Sequence, residues 1–154
     1  MKKFIIPALL ACLFSCSKKQ EETKQDLPEE LQEVYASAYS EDVPNDFKEF
    51  LHKFSSDSLY QRERVAFPLK FTHAGFEAEK DSTFTVIEKV YTSVDLVNPG
   101  PDHFGRPTEV KTKMTDDNNA TVTVSGPRTS IHIEFLFELI NDEWTLREVI
   151  DSSE

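Results

Sequence analysis

Residues 131–150 read Ile131-His132-Ile133-Glu134-Phe135-Leu136-Phe137-Glu138-Leu139-Ile140-Asn141-Asp142-Glu143-Trp144-Thr145-Leu146-Arg147-Glu148-Val149-Ile150. Ile131, Ile133, Phe135, Phe137 and Leu139 alternate with more polar neighbours, the period-two pattern of a strand with one apolar face. Asn141-Asp142-Glu143 is a polar turn, and Trp144, Leu146, Glu148 and Ile150 supply the alternation of the returning strand. A long C-terminal hairpin is therefore expected.

Working back from it, Glu109–Met114 and Ala120–Val124 flank the turn-forming run Thr115-Asp116-Asp117-Asn118-Asn119, a second hairpin, and Gly126-Pro127 makes a further turn. Asn98 to Pro107 holds three of the 8 Pro and two of the 4 Gly and reads as a loop. Thr83–Val97 is rich in β-branched residues and is assigned to strand, although Phe84, Ile87 and Tyr91 also fit helical spacing. Val65, Phe67, Leu69 and Phe71 alternate, and Pro68 places that strand at an edge or a bulge. Upstream the period becomes helical. Leu31, Val34, Tyr35 and Ala38 follow Pro28; Phe47, Phe50, Leu51 and Phe54 follow an Asn45 cap; Ser55-Ser56-Asp57 breaks that helix, and a short helix over 58–64 should turn Leu59 and Tyr60 inward. Helices first and antiparallel strands after them predict an α+β fold, with N-terminal helices packed on a curved antiparallel sheet. Twelve Phe in 154 residues suffice for a real core, with Phe47, Phe50, Phe54, Phe135, Phe137 and Trp144 in it.

The N-terminus reads differently. Met1-Lys2-Lys3 precedes an apolar run from Phe4 to Phe14, too short to span a bilayer, which takes about 20 residues, and the right length for a secretory signal. It ends in Leu13-Phe14-Ser15-Cys16, which looks like a bacterial lipobox. The expected organisation is a signal peptide over 1–15, lipidated Cys16 with a polar tether to residue 27, and one α+β domain over 28–154. Acyl chains on Cys16 would anchor the chain to a membrane. Ser17 in place of Asp favours the outer membrane of the cell envelope.

The segment from Phe137 to Leu146 resembles the closing hairpin of the nuclear-transport-factor-2-like superfamily, in which a polar turn precedes a Trp that plugs a concave, cone-shaped sheet. More narrowly, the chain is similar to a family of Bacteroidota lipoproteins with that cystatin-like α+β fold. The matching residues are Phe50, Phe54, Asp57, Arg62–Arg64, Phe67-Pro68-Leu69, Asp95-Leu96, Trp144-Thr145-Leu146 and Asp151-Ser152. The resemblance implies a fold over residues 45–154, a sheet able to hold a small ligand, and dimerisation of the kind some members show. It carries over no catalytic residue.

Composition narrows the chemistry. With 17 Lys+Arg against 28 Asp+Glu the net charge is −11, which argues against nucleic acid as a partner. Two Cys exclude a disulfide scaffold, and the 4 His, at 52, 73, 103 and 132, show no metal-binding spacing, so neither a metal nor a cofactor is expected. His132 and Glu134 share the polar face of their strand, the arrangement a proton-moving pair would need, though a solvated sheet face also explains them. Gln61-Arg62-Glu63-Arg64 is either a small anion site or a helix end. Asp57-Ser58-Leu59 and Asp81-Ser82-Thr83 resemble O-glycosylation acceptors of Bacteroidota, with Ser82, expected in a loop, the better candidate and Ser58 the other. In the Asn98–Pro107 loop, His103, Phe104 and Arg106 combine an aromatic anchor, a titratable ring and a forked donor, types common in binding sites.

The leading expectation is a non-enzymatic envelope lipoprotein whose domain binds a small molecule or an envelope protein through that loop and the mouth of the sheet. The second is a small-molecule enzyme, isomerase- or hydrolase-like, using the concave face. The third is a structural subunit of an envelope assembly.

Overall fold

The computed structural model describes residues 39–40, 42–74, 81–126 and 129–154. Cys16, the polar tether and the helical pattern at 28–38 lie outside them. Helix α1 spans Asn45–Ser56 and α2 spans Ser58–Glu63; six strands follow as β1 (Val65–His73), β2 (Ser82–Val86), β3 (Glu109–Asp116), β4 (Asn119–Ser125), β5 (His132–Ile140) and β6 (Glu143–Asp151). They form one sheet in the order β2-β1-β6-β5-β4-β3.

The apolar stripe makes α1. Phe47, Phe50, Leu51 and Phe54 fall at i, i+3, i+4 and i+7, and all four are buried. Its cap differs from expectation: Pro44, extended at φ −63° and ψ 152°, precedes the helix, and Asn45 is its first residue. Pro loses nothing there, because the first N–H groups of a helix have no intrahelical partner. The helix also runs through Ser55 and Ser56, where Ser56 Oγ donates to the His52 carbonyl at 2.9 Å. The break comes at Asp57, whose Oδ1 accepts from the N–H groups of Leu59 and Tyr60, both at 3.0 Å, and so caps α2. In α2 the fully buried residue is Gln61; Leu59 is exposed, against the sequence expectation, while Tyr60 is half-buried and packs against the core as expected.

The sheet is mixed. β1 pairs with β2, β3 with β4, β4 with β5 and β5 with β6 antiparallel, while β1 and β6 run parallel. That parallel pair closes the long connection between the first strand and the last. Pro68 lies in an interior strand, within a stretch where the pairing to β6 slips between Val65 and Lys70, so its missing N–H interrupts a ladder that is already irregular.

The β5–β6 hairpin turns on two residues, Asn141 at φ 51° and Asp142 at φ 64°, the primed geometry whose twist matches paired strands. Its alternation changes phase once. Phe137 faces Leu146 while Leu136 faces Glu148, leaving Arg147 as a bulge; Val149, rather than Glu148 or Ile150, is therefore the next buried residue.

Thr83–Val97 is a strand only at its start. β2 ends at Val86, a single 3-10 turn covers Glu88–Val90, and the chain then runs without regular structure to β3. The apolar residues there bury themselves singly: Tyr91 and Leu96 join the core, while Phe84, Ile87 and Val90 stay exposed.

One core holds helices and sheet together. Phe47 packs edge-on against Trp144 with centroids 4.7 Å apart, and Phe137 meets Phe47, Phe50 and Phe54 at 5.7, 5.6 and 5.2 Å. Phe47 and Phe54 are completely buried, each contributing about 1.5–3 kcal/mol by area. Phe135 belongs to the same cluster.

Candidate functional site

The connection from α2 to β3 is fixed before it reaches the 98–107 loop. Gln61 makes four hydrogen bonds from the core: Nε2 donates to the carbonyls of Phe54 and Val94, both at 2.7 Å, and Oε1 accepts from Tyr91 Oη at 2.9 Å and Val94 N–H at 2.8 Å. Arg62 adds two bonds to the same segment, to the carbonyls of Glu88 at 2.9 Å and Tyr91 at 3.0 Å. Arg64 pairs in bidentate fashion with Glu143 at 2.7 and 2.9 Å. Gln61, Arg62 and Arg64 thus clasp helix, loop and hairpin together. Burial pushes the Tyr91 phenol up to about 12, with the nearby Arg62 charge pulling weakly the other way.

Leu96 is buried beyond this clasp, its N–H held by Ser55 Oγ at 3.0 Å, and Asp95 Oδ1 caps the N–H groups of Val97 and Asn98 at 3.0 and 2.8 Å. The loop then rises to a tip organised by one carboxylate. Asp102 has a fully buried side chain; Oδ1 accepts from the N–H groups of Phe104 at 2.9 Å and Arg106 at 2.8 Å, and Oδ2 from Arg106 Nε at 2.8 Å. The Asp102 N–H donates to the Arg106 carbonyl at 2.8 Å, and Gly105 N–H to the Asp102 carbonyl at 2.9 Å. Burial alone would raise the Asp102 pKa, but the hydrogen bonds from Arg106 and Phe104 and the Arg106 charge together hold it below the usual carboxylate range. Gly105, at φ 76°, supplies the left-handed residue that closes the tip.

This frame gathers the three residues picked out in the sequence. The rings of His103 and Phe104 lie 3.7 Å apart, the Arg106 guanidinium sits 4.8 Å from the Phe104 centroid, and Phe104 is 70% exposed. At the base of the tip, a cleft of about 640 Å³ runs between the loop and the start of β3, with Val97, Pro99, Pro101, Pro107 and Val110 in its walls. Asp102, which organises all this, was not read from the sequence. The available signal was an Asp two residues before Phe104 and three before a Gly, the spacing of an Asx turn.

The other candidates lie elsewhere. His132 and Glu134 do share a face of β5, with His132 Nε2 3.8 Å from Glu134 Oε1, and both are partly solvated. His132 borders a separate, hydroxyl-rich cleft of about 600 Å³ with Ser130, Ser152 and Ser153, which shares no residue with the loop cleft. Ser58 is the exposed first residue of α2, and Ser82 is the exposed first residue of β2, paired with His73, so Ser82 is on a strand and not in a loop. Among the described residues, no three His, Cys, Asp or Glu side chains gather as metal ligands would, and no helix is long and apolar enough to cross a membrane.

No family model and no curated protein matches the sequence. Solved structures do. An NTF2-like protein of Bacteroides fragilis superposes with a TM-score of 0.50 at 18% identity, over 75% of this chain and 50% of that one. The chain thus spans about half the length of the Bacteroides fragilis protein. A cystatin-like protein of Bacteroides caccae aligns at 22% identity and a TM-score of 0.49, covering 68% of this chain and 74% of the other. An NTF2-like protein of unknown function from Shewanella baltica aligns at 13% identity and a TM-score of 0.35, over 80% and 90% of the two chains.

Proposed function

We propose, for a chain whose fold is nuclear-transport-factor-2-like, the role of a lipid-anchored protein of the cell envelope that binds a partner without transforming it. The lipobox-like Leu13-Phe14-Ser15-Cys16 carries the anchoring half of this reading, with Cys16 acylated and the outer membrane as destination. The binding half rests on one observation: the Asp102-organised tip, which presents Phe104 to solvent between His103 and Arg106 above a cleft. A large apolar side chain held out on a hydrogen-bonded frame has already lost the freedom that binding would otherwise remove, and aromatic and Arg side chains are the usual anchors of interfaces.

A catalytic use of the concave face calls for a buried titratable pair free to exchange protons. Tyr91 and Asp102, in the connection that carries the loop, are committed to structure, Tyr91 to Gln61 and Asp102 to Arg106, and the His132–Glu134 pair on the sheet is partly solvated. That favours binding over chemistry.

The test replaces Pro101–Arg106 with a Gly-Ser bridge in the full-length, membrane-anchored protein and compares partners captured by cross-linking from intact cells. Loss of a partner with the fold retained supports the reading; capture of the same partners by both forms sinks it. Cys16→Ser tests the anchor independently: labelled palmitate should disappear from the protein, and its persistence would exclude lipidation at Cys16.

A further inference from the structure

We infer that the cleft beneath the loop takes an extended, uncharged peptide segment of another protein, which adds a short strand to the outer edge of β3 at Val110. The inference deepens the reading of loop and cleft as the binding site and rests on it.

Among the described residues β3 is the terminal strand of the sheet, so one of its edges has no strand of the sheet beside it there. The chain itself shows that this edge accepts a main-chain partner, at one isolated bridge. Tyr39 pairs with Thr112 in parallel, and the Thr112 carbonyl accepts the Ser40 N–H at 3.4 Å and Ser40 Oγ at 3.0 Å. Thr112 therefore turns its main-chain groups outward, away from β4. Main-chain direction repeats every second residue along a strand. The pairing of β3 with β4 is regular from Glu109 to Met114, so Val110 also turns its N–H and C=O outward, and Val110 lines the cleft.

The facing wall suits such a guest. Pro99, Pro101 and Pro107 have no N–H to compete for the guest's carbonyls. Val97 and Val110 are half-buried against the core, so a small apolar side chain placed beside them extends existing packing. The charges at hand come in neighbours of opposite sign, the exposed Glu109 and Lys111 4.0 Å apart and Asp102 paired with Arg106 at 2.8 Å. A charge of either sign on a guest thus meets like and unlike charges together, which favours main-chain hydrogen bonds with uncharged β-branched side chains, the chemistry of strand addition.

The probe is the acetylated, amidated peptide Ala-Thr-Val-Thr-Val-Ser. It copies Ala120–Ser125, the strand that already pairs with the inner edge of β3. It is added at millimolar concentration to the full chain in detergent micelles while amide exchange is followed residue by residue. The expected result is slowing of Val110 exchange by about tenfold, lost when alternate peptide nitrogens are methylated. Val110→Pro has no amide at 110 to exchange, so it is read at Val97 across the cleft: the peptide should shift the Val97 methyl signals of the wild type and not those of the variant, with folding intact because an outward-facing N–H on an edge strand is the one a sheet can lose; should that variant unfold, the methylated peptide still decides.

Unchanged Val110 exchange overturns the inference, as does equal slowing by the methylated peptide. Val110 protection as strong as that of Val124 in the peptide-free chain overturns it too, since the chain would then fill its own edge. Partner loss on loop deletion together with a Val110 amide indifferent to peptide ends the strand-addition inference alone; partners indifferent to loop deletion end the site reading itself.

Discussion

The Tyr91 hydroxyl donates a 2.9 Å hydrogen bond to Gln61 Oε1, and both residues are buried. One side chain of α2 thereby holds a segment that has almost no regular structure of its own. Gln61 also takes the Val94 N–H and gives its amide protons to two carbonyls, so every polar atom of the side chain is satisfied. An apolar residue at position 61 would strand four partners in the core.

Gln61→Leu should therefore destabilise the domain by about 2–4 kcal/mol, measured by urea unfolding, because buried donors and acceptors left unpaired cost more than the bonds contributed. Tyr91→Phe, which leaves Gln61 Oε1 its bond from Val94, should cost about 1 kcal/mol. Equal effects from the two substitutions would contradict this account.

Tyr91 should titrate late. Its phenol is raised to about 12, against about 10 for an unfolded tyrosine. Between those values the folded state holds a proton that the unfolded state has released, so its contribution to stability is complete below pH 10 and is lost as pH rises towards 12. Absorbance at alkaline pH should resolve one of the 4 Tyr as a late titration in the wild type, absent in Tyr91→Phe.

Asp102 has the opposite sign. Its pKa is held below the ordinary carboxylate value, so the stability it lends the loop tip is present above pH ~4 and is lost as pH falls through the lower folded value. Asp102→Ala should remove the contact between the His103 and Phe104 rings, read as loss of their mutual nuclear Overhauser effects, while the signals of Phe47 and Phe137 stay in place. Retained ring contact in that variant would show that Asp102 does not organise the tip.

Phe50→Ala and Phe135→Ala should each cost about 3–5 kcal/mol in thermal or urea unfolding, a large share of the roughly 5–15 kcal/mol typical of a domain. Phe50 touches Phe47, Phe54 and Phe137 within 5.6 Å between centroids, so its removal opens a cavity lined by rings on both layers. A loss under about 1 kcal/mol for both would mean that the helix does not pack on the sheet as described.

The stripe Phe47-Phe50-Leu51-Phe54 and the alternation through Phe135 and Phe137 were legible because each records burial of one continuous face, and burial follows local period wherever an element is regular. From those two patterns the sequence determined that helices precede a sheet, and which side of each faces the core. The 98–107 loop was legible too, as a cluster of Pro and Gly bearing His103, Phe104 and Arg106, because those residues act on the backbone locally. Tertiary structure decided what depends on meetings between distant residues. The parallel alliance of β1 with β6, the phase change at Arg147, the burial of Gln61 in place of Leu59 and the extent of β2 all answer to partners on other segments, beyond the reach of a local period. The physical reason is that a polar atom enters a core only where its hydrogen bonds are completed. Gln61 is buried because Phe54, Tyr91 and Val94 come to meet it, and nothing within a few residues of position 61 announces that they will.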